Sequence, residues 1–295
     1  MKVIFVHGRA QQDKDVVALS RAWFEAANVG LSALSLSLLA DADIAFPYYG
    51  DVLFKLTEDA GRKSFNDLIE RGASASAPSA EEQAFFQSIV LDIARSKGIS
   101  LEEVAAEAAE PVVDRGVQNW KVVLAALRLL DKIKGVGQTS IELFTRDVWY
   151  YLTMRGIRLQ VDDLVSAAIP THDQCIVVAH SLGTIVAYNV LMNRRSRENV
   201  KAFITIGSPL GIEAVYSRLP SDTKPRKAPE GVATWFNARD AQDVVALYEI
   251  DPTNYRGSPV VSNFSGVVNT SDNQHDIVEY LKDPTVSKAI AAAAT

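Results

Sequence analysis

The chain has 295 residues, 48% of them hydrophobic and 22% charged. These are globular proportions and exclude a disordered or fibrous protein. With 30 basic against 36 acidic residues the net charge is −6, which argues against nucleic acid as the main partner. Cys175 is the one cysteine, so an internal disulfide is impossible and no Cys/His spacing reads as a zinc site.

Val3–Val6 is an apolar, β-branched run ending before His7-Gly8, the pattern of a strand buried on both faces of a parallel sheet. It is too short for a signal-peptide core. No run approaches the ~18 apolar residues of a membrane span. A soluble, cytoplasmic protein is expected. Val16 to Ala27 has helical spacing, with Gly30 as its expected stop. Leu31 to Leu39 alternates Leu and Ser and predicts a second strand. Strand, helix, strand is the opening of a βαβ unit.

The segment from Ala40 to Gln174 is too long for an ordinary crossover. Ala73 to Ala80 reads as a mobile loop. Ser100-x-x-Glu103 is a capping box before a helix expected to stop near Pro111. Asn119 to Lys134, ending at Gly135, Ser140 to Met154 and Val161 to Ala168 are helical. This predicts a helical cap inserted at 46–137 in a sheet domain of 1–45 and 138–295.

The strand pattern resumes at Cys175–Ala179. A turn at His180–Gly183 leads to a helix over Thr184–Met192 and a strand over Val200–Ile206. Pro220 to Gly231 reads as a loop, Gly231–Asn237 as a strand and Val244–Tyr248 as a short helix. Val260 to Val268 holds a last strand, and Asp276 to Leu281 starts a final helix. The fold class is therefore α/β, a mostly parallel twisted sheet with helices on both faces and a helical cap insertion.

Ala179-His180-Ser181-Leu182-Gly183 places a serine between strand and helix with small residues two positions either side. That is the nucleophile elbow G-x-S-x-G, with Ala179 at the first glycine. The strained turn lifts the hydroxyl above the sheet, and the helix start aims N–H groups at developing negative charge. The N–H of Leu182 is the expected first oxyanion donor. His7-Gly8-Arg9, after the first strand, supplies the second through the N–H of Arg9. Of His7, His172, His180 and His275, only His275 follows Ser181, in the polar stretch Ser271-Asp272-Asn273-Gln274-His275-Asp276. It is the expected base. The acid should follow the strand Gly231–Asn237, where Asp240 and Asp243 both stand. Asp243 also suits a helix N-cap, and Asp240 a surface charge beside Arg239.

At these residues the chain resembles the α/β-hydrolase superfamily, specifically its lipase-like and esterase-like serine hydrolases. The motifs are His-Gly after a strand, the His-Ser-Leu-Gly elbow, Gly-Ser-Pro after the next strand, Asn-x-x-Asp-x-x-Asp-Val-Val and a late histidine. They cover about the first 40 and the last 125 residues. In similar sequences the acid commonly precedes an apolar pair as Asp243 does, so the resemblance favours Asp243 over Asp240. It implies a strand count of up to eight, with this chain beginning at the third. It also implies a triad of Ser181, Asp243 and His275 cleaving a carboxylic ester or thioester, without cofactor or metal. Phe46-Pro47-Tyr48-Tyr49, Phe85-Phe86 and the stripe Trp120, Val123, Leu124, Leu127 and Leu130 are expected to pack the insertion or to line an apolar acyl pocket. Two alternatives share these residues: an amidase or peptidase, and a non-catalytic module that binds a partner through the insertion.

Overall fold

The structure, a computed structural model, describes residues 1–60, 79–109, 120–133, 137–193, 199–220 and 226–294. Two compact units emerge, one of Met1–Phe54 with Arg155–Thr295 and one of Lys55–Met154.

The first unit is built on a six-stranded, wholly parallel sheet. Its strands are β1 (Lys2–Val6), β2 (Ile44–Ala45), β3 (Cys175–His180), β4 (Val200–Ile206), β6 (Val232–Asp240) and β8 (Val261–Val267), in the order β2-β1-β3-β4-β6-β8. Two short strands, β5 (Arg226–Lys227) and β7 (Tyr255–Arg256), pair separately, and a one-turn helix, α9 (Glu213–Tyr216), follows β4. β5 falls where the proline-rich stretch predicted only loop.

Burial on both faces explains the apolar runs. Val3, Phe5, Ile176, Val178, Ile204 and Ile206 pack against Trp23, Ala26 and Ala27 of α1 (Val16–Ala33). The same layer holds Tyr280 and Leu281 of α10 (Ile277–Lys282), with Val286 and Ile290 of α11 (Pro284–Ala294). On the other face, α8 (Leu182–Asn193) is buried continuously from Leu182 to Leu191. Its Tyr188 ring lies 6.1 Å from that of Trp235, which stacks on Phe203 at 5.5 Å. A helix apolar all round has no solvent face, as a layer between the sheet and α7 (Arg155–Ala168) requires.

Three expectations in this unit are corrected. The helix α1 does not stop at Gly30 but continues to Ala33. Gly30 instead marks a close approach: a β-carbon there would lie 2.8 Å from the Leu281 carbonyl oxygen and collide with Ser287. Leu31–Leu39 forms no strand. Ser35 takes a left-handed φ of 54°, and the Asn28 side chain accepts from the Leu39 N–H and donates to its carbonyl, holding the chain without a ladder partner. The second strand is the two-residue β2. Val244–Tyr248 forms no helix but a series of bends.

The second unit holds α3 (Ala80–Ser96), α4 (Leu101–Ala108), α5 (Trp120–Asp131) and α6 (Gln138–Thr153), following α2 (Gly50–Asp59), which spans the unit boundary. The Ser100–Glu103 capping box is formed on both sides. α5 packs against α3 and α4. Phe85, Phe86, Val123, Leu127 and Leu130 are buried, Leu124 half-buried, and Phe85 meets Trp149 at 5.3 Å. They are core residues of this unit. The Trp120 side chain, Ala73–Pro78, Pro111 and Gly135 lie outside the described residues.

Candidate active site

The predicted residues of the first unit gather at the carboxyl ends of β1, β3, β4 and β6, the end of an open parallel sheet where ligands bind. Ser181 follows β3 directly. It holds a left-handed φ of 57°, a conformation costly for a side chain with a β-carbon and frequent at functional turns. Several contacts hold it there. The Ser181 N–H donates to the Ile206 carbonyl at 3.2 Å. The Thr184 hydroxyl donates to the Ser181 carbonyl at 2.7 Å and lies 2.8 Å from the Ser208 hydroxyl, which accepts from the Leu210 N–H.

The small residues around the serine are sterically required. A β-carbon on Gly183 would lie 2.5 Å from the Val6 carbonyl oxygen, because the first turn of α8 presses on the end of β1. A β-carbon on Gly8 would lie 2.7 Å from Ser181 Cβ and 3.1 Å from its Oγ. The His7-Gly8-Arg9 segment thus wraps the serine with bare backbone at the closest point.

His7 is fully buried, and burial lowers its pKa to about 4, so the ring is neutral. Its Nε2 accepts from the Tyr49 N–H at 3.1 Å, which leaves Nδ1–H to donate to the Gly8 carbonyl at 2.7 Å. The Tyr49 hydroxyl donates to the His7 carbonyl. The peptide after Gly8, which carries the Arg9 N–H, is thereby fixed in orientation. Leu182, the residue expected to give the other donor, is the first of α8, where an N–H has no partner in its own helix.

His275 lies in the loop before α10. Its Nδ1 is 2.7 Å from Asp243 Oδ2, and the Asp243 carboxylate is completely buried. Asp243 Oδ1 accepts from the N–H groups of Val245 (2.8 Å) and Ala246 (3.4 Å). These are the bonds of an N-cap, yet they close a turn and not a helix. The carboxylate against the imidazole is Asp243; Asp240 accepts from the N–H groups of Gln242 and Asn269.

His275 Nε2 is buried and has no hydrogen-bond partner among the described residues, Ser181 Oγ included. Its ring borders Gly207: a β-carbon there would be 3.1 Å from both His275 Cε1 and His180 Nε2. Gly207 immediately follows Ile206, to which Ser181 is bonded. His172 is exposed in the loop before β3, at the opposite end of that strand.

The chain matches no family model, and comparison with curated proteins and with solved structures returns no match. Among the described residues, no three His, Cys, Asp or Glu side chains are grouped to hold a metal ion, and no helix is long and apolar enough to cross a membrane.

Two participants were not singled out from sequence. The His180 ring lies against His275, tilted by 31° with centroids 4.4 Å apart, and burial first, then the neighbouring His275, holds its pKa well below the usual histidine value. Its place beside the serine was the available signal. Tyr280 donates to Asp243 Oδ2 at 2.8 Å. Nothing in a helix-spaced aromatic distinguishes such a residue from ordinary core.

Proposed function

We propose that this protein is a serine hydrolase of the α/β-hydrolase type, acting on carboxylic esters or thioesters through an acyl-enzyme. The observation that carries the reading is the Asp243–His275 pair with its free, buried Nε2, set at the same sheet end as a serine in a strained strand–helix turn.

In this reading Ser181 Oγ attacks the acyl carbon while His275 Nε2 takes the hydroxyl proton. Asp243 accepts from Nδ1–H, which fixes the tautomer that leaves Nε2 able to accept. The protonated imidazole then delivers its proton to the departing alcohol or thiol. Water, deprotonated by the same nitrogen, attacks the acyl carbon; the acyl–Oγ bond breaks, the imidazolium returns the proton to Ser181 Oγ, and the acid is released. The N–H groups of Leu182 and Arg9 would hold the oxyanion; a donor of this kind is worth about 3 kcal/mol in the transition state. No hydrogen bond joins Ser181 to His275, and such bonds commonly tighten only with substrate bound.

We take the acyl group to be apolar, because the half-buried rings of Phe46 and Tyr48 lie 5.5 and 5.4 Å from His7, beside the segment that wraps the serine. Initial rates on aryl esters from acetyl to octanoyl test both parts. The expected result is hydrolysis, with kcat/KM rising along the series because each buried methylene contributes about 0.8 kcal/mol. Preference for acetyl would remove the apolar-acyl part. Failure on every ester and thioester would remove the function.

A further inference from the structure

We infer that Tyr280 is a positioning residue that shares Asp243 Oδ2 with His275 and so sets the basicity of the imidazole. The inference rests on the hydrolase reading for its catalytic meaning, though not for its geometry.

The Tyr280 hydroxyl accepts from the Asp240 N–H at 2.9 Å and donates to Asp243 Oδ2 at 2.8 Å. A phenol has one proton, and the Asp240 bond occupies its acceptor side, so that proton is committed to the carboxylate. Oδ2 therefore receives two donors, Tyr280 and His275, while Oδ1 receives the N–H groups of Val245 and Ala246. Tyr280 is buried, and burial first, then Asp243, raises its pKa well above the ordinary tyrosine value. It remains a donor at any working pH.

A carboxylate oxygen bonded to a phenol has less charge to offer an imidazolium. The phenol thus makes His275 a weaker base than a lone Asp243 would, while tethering the loop that carries Asp243 to α10. The other ionisable groups facing the pair are Asp240 at the end of β6 and His180 at the end of β3, whose ring lies 6.0 Å from that of Tyr280. Burial keeps His180 neutral.

The test is the NMR titration of His275 in the full chain, which needs no turnover, beside the pH profile of kcat/KM. Tyr280→Phe keeps the ring and its packing. The His275 pKa is expected to rise by about 0.5 to 1 unit, with the acid limb of the rate profile moving by the same amount. Should that variant fold poorly, 3-fluorotyrosine incorporated at position 280 gives the opposite sign: a more acidic phenol donates more strongly, and the His275 pKa falls. A purely structural role lowers thermal stability and leaves the titration where it was. An unmoved titration in a folded variant overturns the inference. A moved titration in a protein that hydrolyses no ester upholds the geometry and overturns only the hydrolase reading.

Discussion

A Ser181→Ala protein is expected to fold like the wild type and to lose ester turnover on the order of 10³-fold or more. Only Oγ is removed. The β-carbon already fits against Gly8, and the bonds holding the turn use the Ser181 backbone N–H and carbonyl. Alanine and serine carry a similar cost at the left-handed φ of 57°. Stability should therefore change by no more than about 1 kcal/mol, a size ordinary for a substitution that leaves packing intact. Thermal unfolding beside steady-state rates separates the two effects. Wild-type turnover in this variant would remove Ser181 from the chemistry.

The second large effect is expected at the pair. His275→Ala should abolish general-base catalysis, while His172→Ala, exposed at the far end of β3, should be nearly silent. Asp243→Asn should cost about 10³- to 10⁴-fold, the size expected where an acid fixes an imidazole tautomer. The physical reason is that both Asp243 oxygens accept: one from Val245 and Ala246, the other from His275 and Tyr280. An amide has one oxygen, so one set of donors must face an NH₂ group. Asp240→Asn meets the same problem with Gln242 and Asn269, but it touches no imidazole. Its cost should fall mainly on stability, read by urea unfolding, with a smaller loss of rate. Equal, small rate effects of both aspartate changes would sink the role assigned to Asp243.

What sequence made legible follows physical rules of short range. The strands β1, β3 and β4 could be read because strands buried on both faces are nearly continuous apolar runs. The capping box at Ser100 could be read because both partners lie within one turn. The Leu31–Leu39 segment misled because alternation marks a strand only where a neighbour completes the ladder, and Asn28 holds that stretch instead. Gly30 misled because its reason lies in the approach of α10 and α11, far along the chain. At the site, Ser181, His275 and the two candidate acids were visible from order and spacing. The choice between Asp240 and Asp243 by geometry, and the part played by Tyr280, depend on side chains up to 40 residues apart. No local pattern encodes those meetings.

Activation of Ser181 by the Asp243–His275 pair is tested most directly by labelling the intact protein with a fluorophosphonate, followed by peptide mass mapping. Such a probe phosphonylates only a serine whose hydroxyl is activated by a neighbouring base beside an oxyanion site. A single adduct is expected on Ser181, absent in Ser181→Ala and strongly slowed in His275→Ala. No adduct in folded wild-type protein, or an adduct on another residue, would contradict that activation.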